Sequence, residues 1–351
     1  MTGRVARRDY GLLGPEASKA VALGLTGAVW YSPPISRKRL GELMKKRDGP
    51  ALRDTAIWFA ALILSGAAGI WLWGTWLAVF PLAIYGVLYG SAGDSRWHEC
   101  GHGTAFKTPW MNSVVYQIAC FMMLREPRVW RASHSRHHAD TIIVGRDPEI
   151  NATRPPDFIA LFLNLFALKG GLLALGRIVL HATGRLTAAE KTFIAERWWP
   201  QVYRVARIWL VLLSAVVAAC IGLHSILPAM LIGLPTFYGG FLTLIFGLTQ
   251  HAGLAEDVLD HRLNSRTVYM NPVFRFIYWN MNYHLEHHLF PMVPYHALPE
   301  LHSLVKPHCP PPHTSLLAAY REIIPTLWRQ AREPGYCVAR TLPAQVEANK
   351  T

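Results

Sequence analysis

The sequence predicts an all-α integral membrane protein, with four transmembrane helices in two hairpins and a cytosolic helical cap. Two observations predict the spans. Residues 55–93 run for 39 positions, and residues 208–255 for 48, without a formal charge. A helical crossing needs about 20 apolar residues at ~1.5 Å rise each, so each stretch is long enough for two. The third observation predicts the cap. Three short runs, WHECGH, SHSRHH and YHLEHH, hold eight of the sixteen histidines and lie outside the apolar stretches.

The elements follow in order. Residues 1–54 carry eleven Lys/Arg against five Asp/Glu, with Arg37-Lys38-Arg39 and Lys45-Lys46-Arg47 just before the first span. By the positive-inside rule both termini and the middle segment face the cytosol. Residues 20–31 are apolar but lack the flanks and cleavage signature of a signal peptide, and read as a short interfacial helix. Gly74-Thr75 divides the first stretch into spans near 55–73 and 75–93. Leu227-Pro228 divides the second into spans near 208–227 and 229–249. Met111–Leu124 is too short to cross. Residues 158–182, interrupted by Lys169-Gly170-Gly171 and Arg177, read as two half-length interfacial helices. A fifth span there would put the histidine runs on opposite sides of the membrane. The proline-rich residues 307–351 read as a partly irregular cytosolic tail, which leaves 55–306 as the membrane domain between it and an N-terminal segment, 1–54.

Composition excludes several classes. A basic belt beside anionic lipid accounts for the formal net charge of +13, and no nucleic-acid-binding motif is present. The five cysteines are scattered without a C-x-x-C pair, against a disulfide framework or an iron–sulfur cluster. The spans carry no polar pathway for a transported metal beyond His224 near a hairpin tip.

The histidine runs point to metal. Residues at i, i+3 and i+4 share one helix face, so each run presents its imidazoles together. A lone histidine is usually an ordinary core or surface residue, but eight in three runs would repel if protonated. If buried and neutral, their unpaired nitrogens would cost roughly 1–3 kcal/mol each. A metal that binds neutral imidazole removes both problems. His251, in TQHAG at the end of the fourth span, lies level with His98 and makes a ninth candidate. Nine nitrogens are too many for one ion and suit two. Ligand type alone leaves iron, copper, nickel and zinc open, so a di-metal oxidase stands beside a zinc-dependent membrane hydrolase.

HECGH, HSRHH and HLEHH, with the surrounding HECGHGTAF, the HH…DPE pattern and HHLFPMVPYHALPELH, resemble the three histidine boxes of the membrane fatty-acid desaturase and hydroxylase superfamily. The resemblance covers roughly residues 50–310. It implies a non-haem diiron centre, O2 as oxidant and an external electron donor. The implied iron ligands are His98, His102, His134, His137, His138, His251, His284, His287 and His288. Stearoyl-type enzymes of the superfamily have four residues between the histidines of the first box, and this chain has three. They also carry an asparagine one turn before the isolated histidine, where this chain has Gly247; Asn280, one turn before His284, is expected to take its place through a water. No His-Pro-Gly-Gly haem motif occurs, so a separate ferredoxin, rubredoxin or cytochrome b5-type carrier is the expected partner.

Seven polar residues are candidates for positioning or substrate contact. Asp94 lies one turn before His98, while Glu99 and Glu286 sit inside boxes and suit hydrogen bonds to imidazole N–H. Asp140, Asp147 and Glu149 follow the second box, and Asn280 completes the set. Trp97, Trp130, Tyr278 and Trp279 flank the boxes and read as interfacial anchors. The resemblance implies desaturation of a fatty-acyl or other small amphiphilic substrate in the membrane. The alternatives are hydroxylation on the same scaffold, or a free amino acid such as arginine received by the acidic residues.

Overall fold

The computed structural model describes residues 8–343, and these are helical apart from loops and two isolated bridges, Thr267 with Tyr283 and Val268 with His313. Two short helices, α1 (Pro15–Ala22) and α2 (Arg37–Leu43), lead in. The interfacial helix expected over 20–31 is absent: α1 ends at Ala22, and Gly24 and Gly27 take positive φ where it would continue.

α3 (Asp48–Trp71) begins the first hairpin, which turns at Gly74 (φ +90°). The return limb runs through α4 (Val79–Gly86), a π turn (Val87–Ser91) and α5 (Ala92–His102), and stops at Gly103 in the left-handed region. The π turn frees the carbonyl of Leu88, which accepts from the buried Trp58 indole at 2.8 Å. Trp76–His102 is 27 residues long. At 1.5 Å per residue this is ~40 Å, longer than the ~30 Å hydrocarbon core, so its last turns can carry His98 and His102 clear of the lipid.

Between the apolar stretches lie α6 (Pro109–Met122), α7 (Pro127–Ala139), α8 (Phe158–Leu165), α9 (Leu168–Ala182) and α10 (Ala188–Lys191). The 158–182 segment is two helices, bent by 78° at Ala167 (φ 49°). The long α11 (Trp199–Gly222) follows, with Ile208, Val211, Val217 and Ile221 exposed along it, as Ile57, Ile63 and Leu64 are along α3. Such apolar belts are stable in lipid, where the helix satisfies its own backbone.

The fourth span departs from expectation. Residues 229–249 are not one helix. They belong to α12 (Leu227–Leu231), α13 (Pro235–Gly239) and α14 (Phe241–His251). Gly233 at φ +94° and Pro235 break the first junction, and Gly240 breaks the second. Neighbouring side chains satisfy the freed carbonyls: the Tyr85 and Tyr238 hydroxyls donate to Leu231 and Met230, and the Ser91 hydroxyl to Gly239. Three helical runs are therefore long and apolar enough to cross a membrane, Arg37–Trp71, Trp76–His102 and Glu196–Gly222, or four if the bent α8–α9 pair counts as one. The hairpin tips meet where the Trp73 indole donates to Ser225.

The remaining helices are α15 (His261–Asn264), α16 (Pro272–Ile277), α17 (His284–Leu289), α18 (Leu298–Val305) and α19 (Leu316–Gln330). The described part of the tail, up to residue 343, carries one α-helix between irregular stretches. α19 buries Ala319, Ile323 and Leu327, its Tyr320 hydroxyl donates to Ile245, and Glu322 pairs with Arg266 and Arg340.

Candidate metal centre

Four helices bring nine histidines to one place: α5 carries His98 and His102, α7 carries His134, His137 and His138, α14 ends on His251, and α17 carries His284, His287 and His288. Their ring nitrogens form two groups that could each hold an ion. His98, His102, His134, His138 and His287 make one, and His137, His251, His284 and His288 the other. Helical phase sorts them. Histidines four apart stay together, His134 with His138 and His284 with His288, while the i+3 members His137 and His287 cross to the opposite group.

The spacing fits a metal. His102 and His134 Nε2 are 3.0 Å apart, His134 and His138 3.1 Å, and His138 and His287 3.1 Å. In the second group the His251–His284 and His284–His288 separations are both 3.0 Å. At a metal–nitrogen distance of ~2.1 Å, neighbouring corners of an octahedron lie ~3.0 Å apart and those of a tetrahedron ~3.4 Å. His98 is buried with neither ring nitrogen hydrogen-bonded, as a ligand position would leave it.

The outer nitrogens of four imidazoles are held, while those of His138, His284 and His287 are buried without a partner. His134 Nδ1 lies 3.0 Å from Glu149, whose other oxygen accepts from Ser133. His137 Nδ1 lies 2.8 Å from Asp147, which also accepts from the Ile142 amide. His251 Nδ1 donates to the Asn264 carbonyl at 2.7 Å, and His288 Nδ1 meets the Thr141 hydroxyl at 3.2 Å. Each contact puts the proton on Nδ1 and turns the Nε2 lone pair inward.

Electrostatics keep most of the set neutral. Burial first, then neighbouring imidazoles, pushes His134, His138, His284, His287 and His288 well below the ordinary 6.5. His137 goes the other way, because Asp147 outweighs the lowering effect of burial. Below pH ~6.5 the unfolded chain therefore takes up protons that these folded imidazoles refuse, so stability falls as pH drops, while His137 and the buried Glu126 carboxyl, pushed up to about 7, oppose the trend. Thermal unfolding of the metal-free protein in detergent is expected to shift to lower temperature as pH falls below about 6.5.

Three of the seven polar candidates lie elsewhere. Asn280 (φ 56°) precedes the start of α17, and its amide bridges Arg275 and the Tyr295 carbonyl. Asp140 is engaged by Arg136 and Arg146. Glu286 binds Thr267 and His302 and anchors α17 from behind. Glu99 accepts from Thr104 and the Tyr295 amide, and its nearest approach to an imidazole is 4.0 Å, at His287. Asp94 faces the site but is held by Arg125 at 2.5 Å and the Trp97 indole at 2.9 Å.

A cavity of about 150 Å³ opens beside His98, His134, His137 and His284, with Asp94, Arg125, Trp130, Gln250 and Tyr278 in its wall. Trp97, Tyr278 and Trp279 are buried rather than interfacial, and Arg125 stacks over Trp97 and Trp130. Arg125 and Gln250 carried no sequence signal, since each is an isolated polar residue whose role depends on distant partners.

Residues 74–319 match the sequence profile of the family described as fatty acid desaturase. The chain belongs to that family. Among its curated relatives, the chain is 27% identical to a Delta(5) fatty acid desaturase, fat-4, of Caenorhabditis elegans over 60% of its own length and 53% of the worm protein. It is 26% identical to an endoplasmic-reticulum omega-6 fatty acid desaturase isozyme of Glycine max over 71% of both chains. It is 25% identical to an acyl-lipid (9+3)-(E)-desaturase of Dimorphotheca sinuata over 74% of this chain and 73% of that one. The chain thus spans about half the length of the worm relative and nearly three quarters of the plant ones. Within this family member, Asp147 and Glu149 offer a direct check on the outer contacts. Asp147→Asn or Glu149→Gln is expected to weaken iron binding about 10–100-fold, read by competition with a chelator.

Proposed function

We propose that this protein is a multi-pass, O2-dependent diiron desaturase that introduces a C=C bond into a fatty-acyl or other small amphiphilic chain, with its site and termini on the cytosolic side. The observation that carries the reading is the pair of imidazole groups, five and four, beside a cavity that continues into an apolar chamber. That chamber, about 230 Å³, is walled by Met123, Ala174, Leu244 and Leu248 together with the polar Asn164 and Thr236, and shares Arg125, Trp130, Asn151, Thr243 and Gly247 with the first cavity.

His98, His102, His134, His138 and His287 would hold one iron, and His137, His251, His284 and His288 the other. When bound, the pair supplies oxidising power for removing hydrogen from an unactivated C–H bond, with electrons from a separate ferredoxin, rubredoxin or cytochrome b5-type carrier. The chain's own residues fix geometry. Asp147, Glu149, Asn264 and Thr141 hold four of the imidazoles, His137, His134, His251 and His288, in one tautomer, so little reorganisation of these is needed at the metal. The apolar part of the chamber wall would present one stretch of chain to the centre.

The acidic residues that might receive a free cationic amino acid at the centre are already engaged. Asp94 and Asp140 are paired with arginines, and Asp147 and Glu149 face imidazoles. This favours an acyl chain over arginine. Oxygen uptake with reductant is the test, with acyl lipids in one arm and free amino acids in the other. Stimulation by lipid alone is expected, and stimulation by a water-soluble amino acid alone would overturn the acyl reading.

A further inference from the structure

A second cluster of buried titratable side chains lies away from the imidazole groups. Glu126 caps α7, with one carboxylate oxygen accepting from the Arg128 and Val129 amides at 2.8 and 2.7 Å. Its other oxygen is buried without a hydrogen-bond partner. His181 on α9 is 1% exposed, and its Nε2 lies 3.1 Å from Glu190. Its Nδ1 is likewise buried and unpartnered. Glu190 is itself fixed by a capping box with Thr187.

Glu126, His181 and Glu190 line one cavity of about 170 Å³ between α7 and α9. This cavity shares Trp130, Gly170 and Ala174 with the apolar chamber, and Trp130 also walls the cavity beside the imidazoles. The three spaces therefore meet along one side chain.

The free atoms have a definite chemistry. With Nε2 against the Glu190 carboxylate, the Nδ1 of the neutral ring is a lone-pair acceptor. The free Glu126 oxygen is an acceptor too. Two buried acceptors facing one cavity call for a donor. Charge favours a cation: burial pushes Glu126 up to about 7, so a positive neighbour would stabilise its ionised form. Of the nearby arginines, Arg128 is turned onto Trp198 and Gln201, while half-exposed Arg177 lines the cavity, 3.9 Å from Glu190, and reaches neither Glu126 nor His181 with a hydrogen bond. Two carboxylates at this end disfavour an anionic headgroup.

We propose that Glu126, His181 and Glu190 form a second polar subsite that takes a protonated primary amine at one end of an amphiphilic substrate. The chain then runs past Trp130 into the chamber and on toward the imidazoles, a path that rests on the function proposed above.

The test is photolabelling of the full-length protein in detergent, using dodecylamine with a diazirine beside the amine and the matched carboxylic acid. The amine probe is expected to label peptides covering 124–130 and 170–181 about tenfold more than the acid probe. Glu126→Gln should reduce that labelling by about tenfold, as expected for loss of a charge-assisted hydrogen bond. His181→Asn, checked by its unfolding midpoint, serves if the first variant folds poorly. Equal labelling by amine and acid, or labelling unchanged in both variants, would overturn the subsite and leave the cavity as a water pocket. The assay needs neither iron nor O2, so absent desaturation leaves its outcome intact. Conversely, acyl desaturation without amine labelling would remove the subsite alone.

Discussion

His137→Ala and His287→Ala are each expected to abolish oxygen-dependent turnover, to below ~1% of the parent, and to lower bound iron. The two residues belong to different groups, His287 to the five and His137 to the four. Each also crosses between helices, since its neighbours four apart on α7 or α17 serve the other group. Removing either takes a nitrogen from one ion without disturbing the other's full set. The loss should exceed the ~10–100-fold effect of changing an outer partner, because a first contact is lost rather than its orientation. His137→Ala should empty the four-membered group first, since four nitrogens leave less reserve than five. Iron analysis of purified variants, beside turnover, checks this, and full turnover in either would refute the assignment.

The second large effect concerns the broken helix. A Cβ at Gly239 would sit 1.9 Å from the backbone of Gly86, and one at Gly90 would sit 2.6 Å from the Pro235 carbonyl. Backbone cannot rotate aside as a side chain can. Gly239→Ala therefore forces α13 away from the return limb of the first hairpin and breaks the Ser91 contact that binds them. Destabilisation of about 3 kcal/mol is expected, at the upper end for overpacking. Gly247→Ala is the matched control on α14. Its Cβ would meet nothing within 4 Å, and replacing a helical glycine should stabilise by roughly 0.5–1 kcal/mol. Thermal unfolding of both variants in the same detergent separates packing from a general glycine effect.

The histidine runs announced metal because i, i+3, i+4 spacing is local, and the charge-free stretches announced the membrane for the same reason. The five-and-four division was not legible, since it depends on how α7 and α17 face each other although His138 and His284 are 146 positions apart. Asn280 was misplaced by extending α17 backward through Trp279 and Asn280, both at positive φ. The fourth span failed differently: Gly233, Pro235 and Gly240 stood in the sequence as breakers, but the absence of charge outweighed them. Trp97, Tyr278 and Trp279 satisfy an interfacial or a buried reading equally until long-range packing decides. Glu126 and His181 are 55 positions apart, and nothing local joins them.

The central claim is that nine imidazoles hold two irons side by side. Metal analysis of the purified protein, paired with Mössbauer spectroscopy of iron-57-loaded material, tests it most directly. The account predicts two irons per chain in nitrogen-rich, magnetically coupled sites. A single iron, or zinc in both groups with turnover that does not need O2, would contradict it.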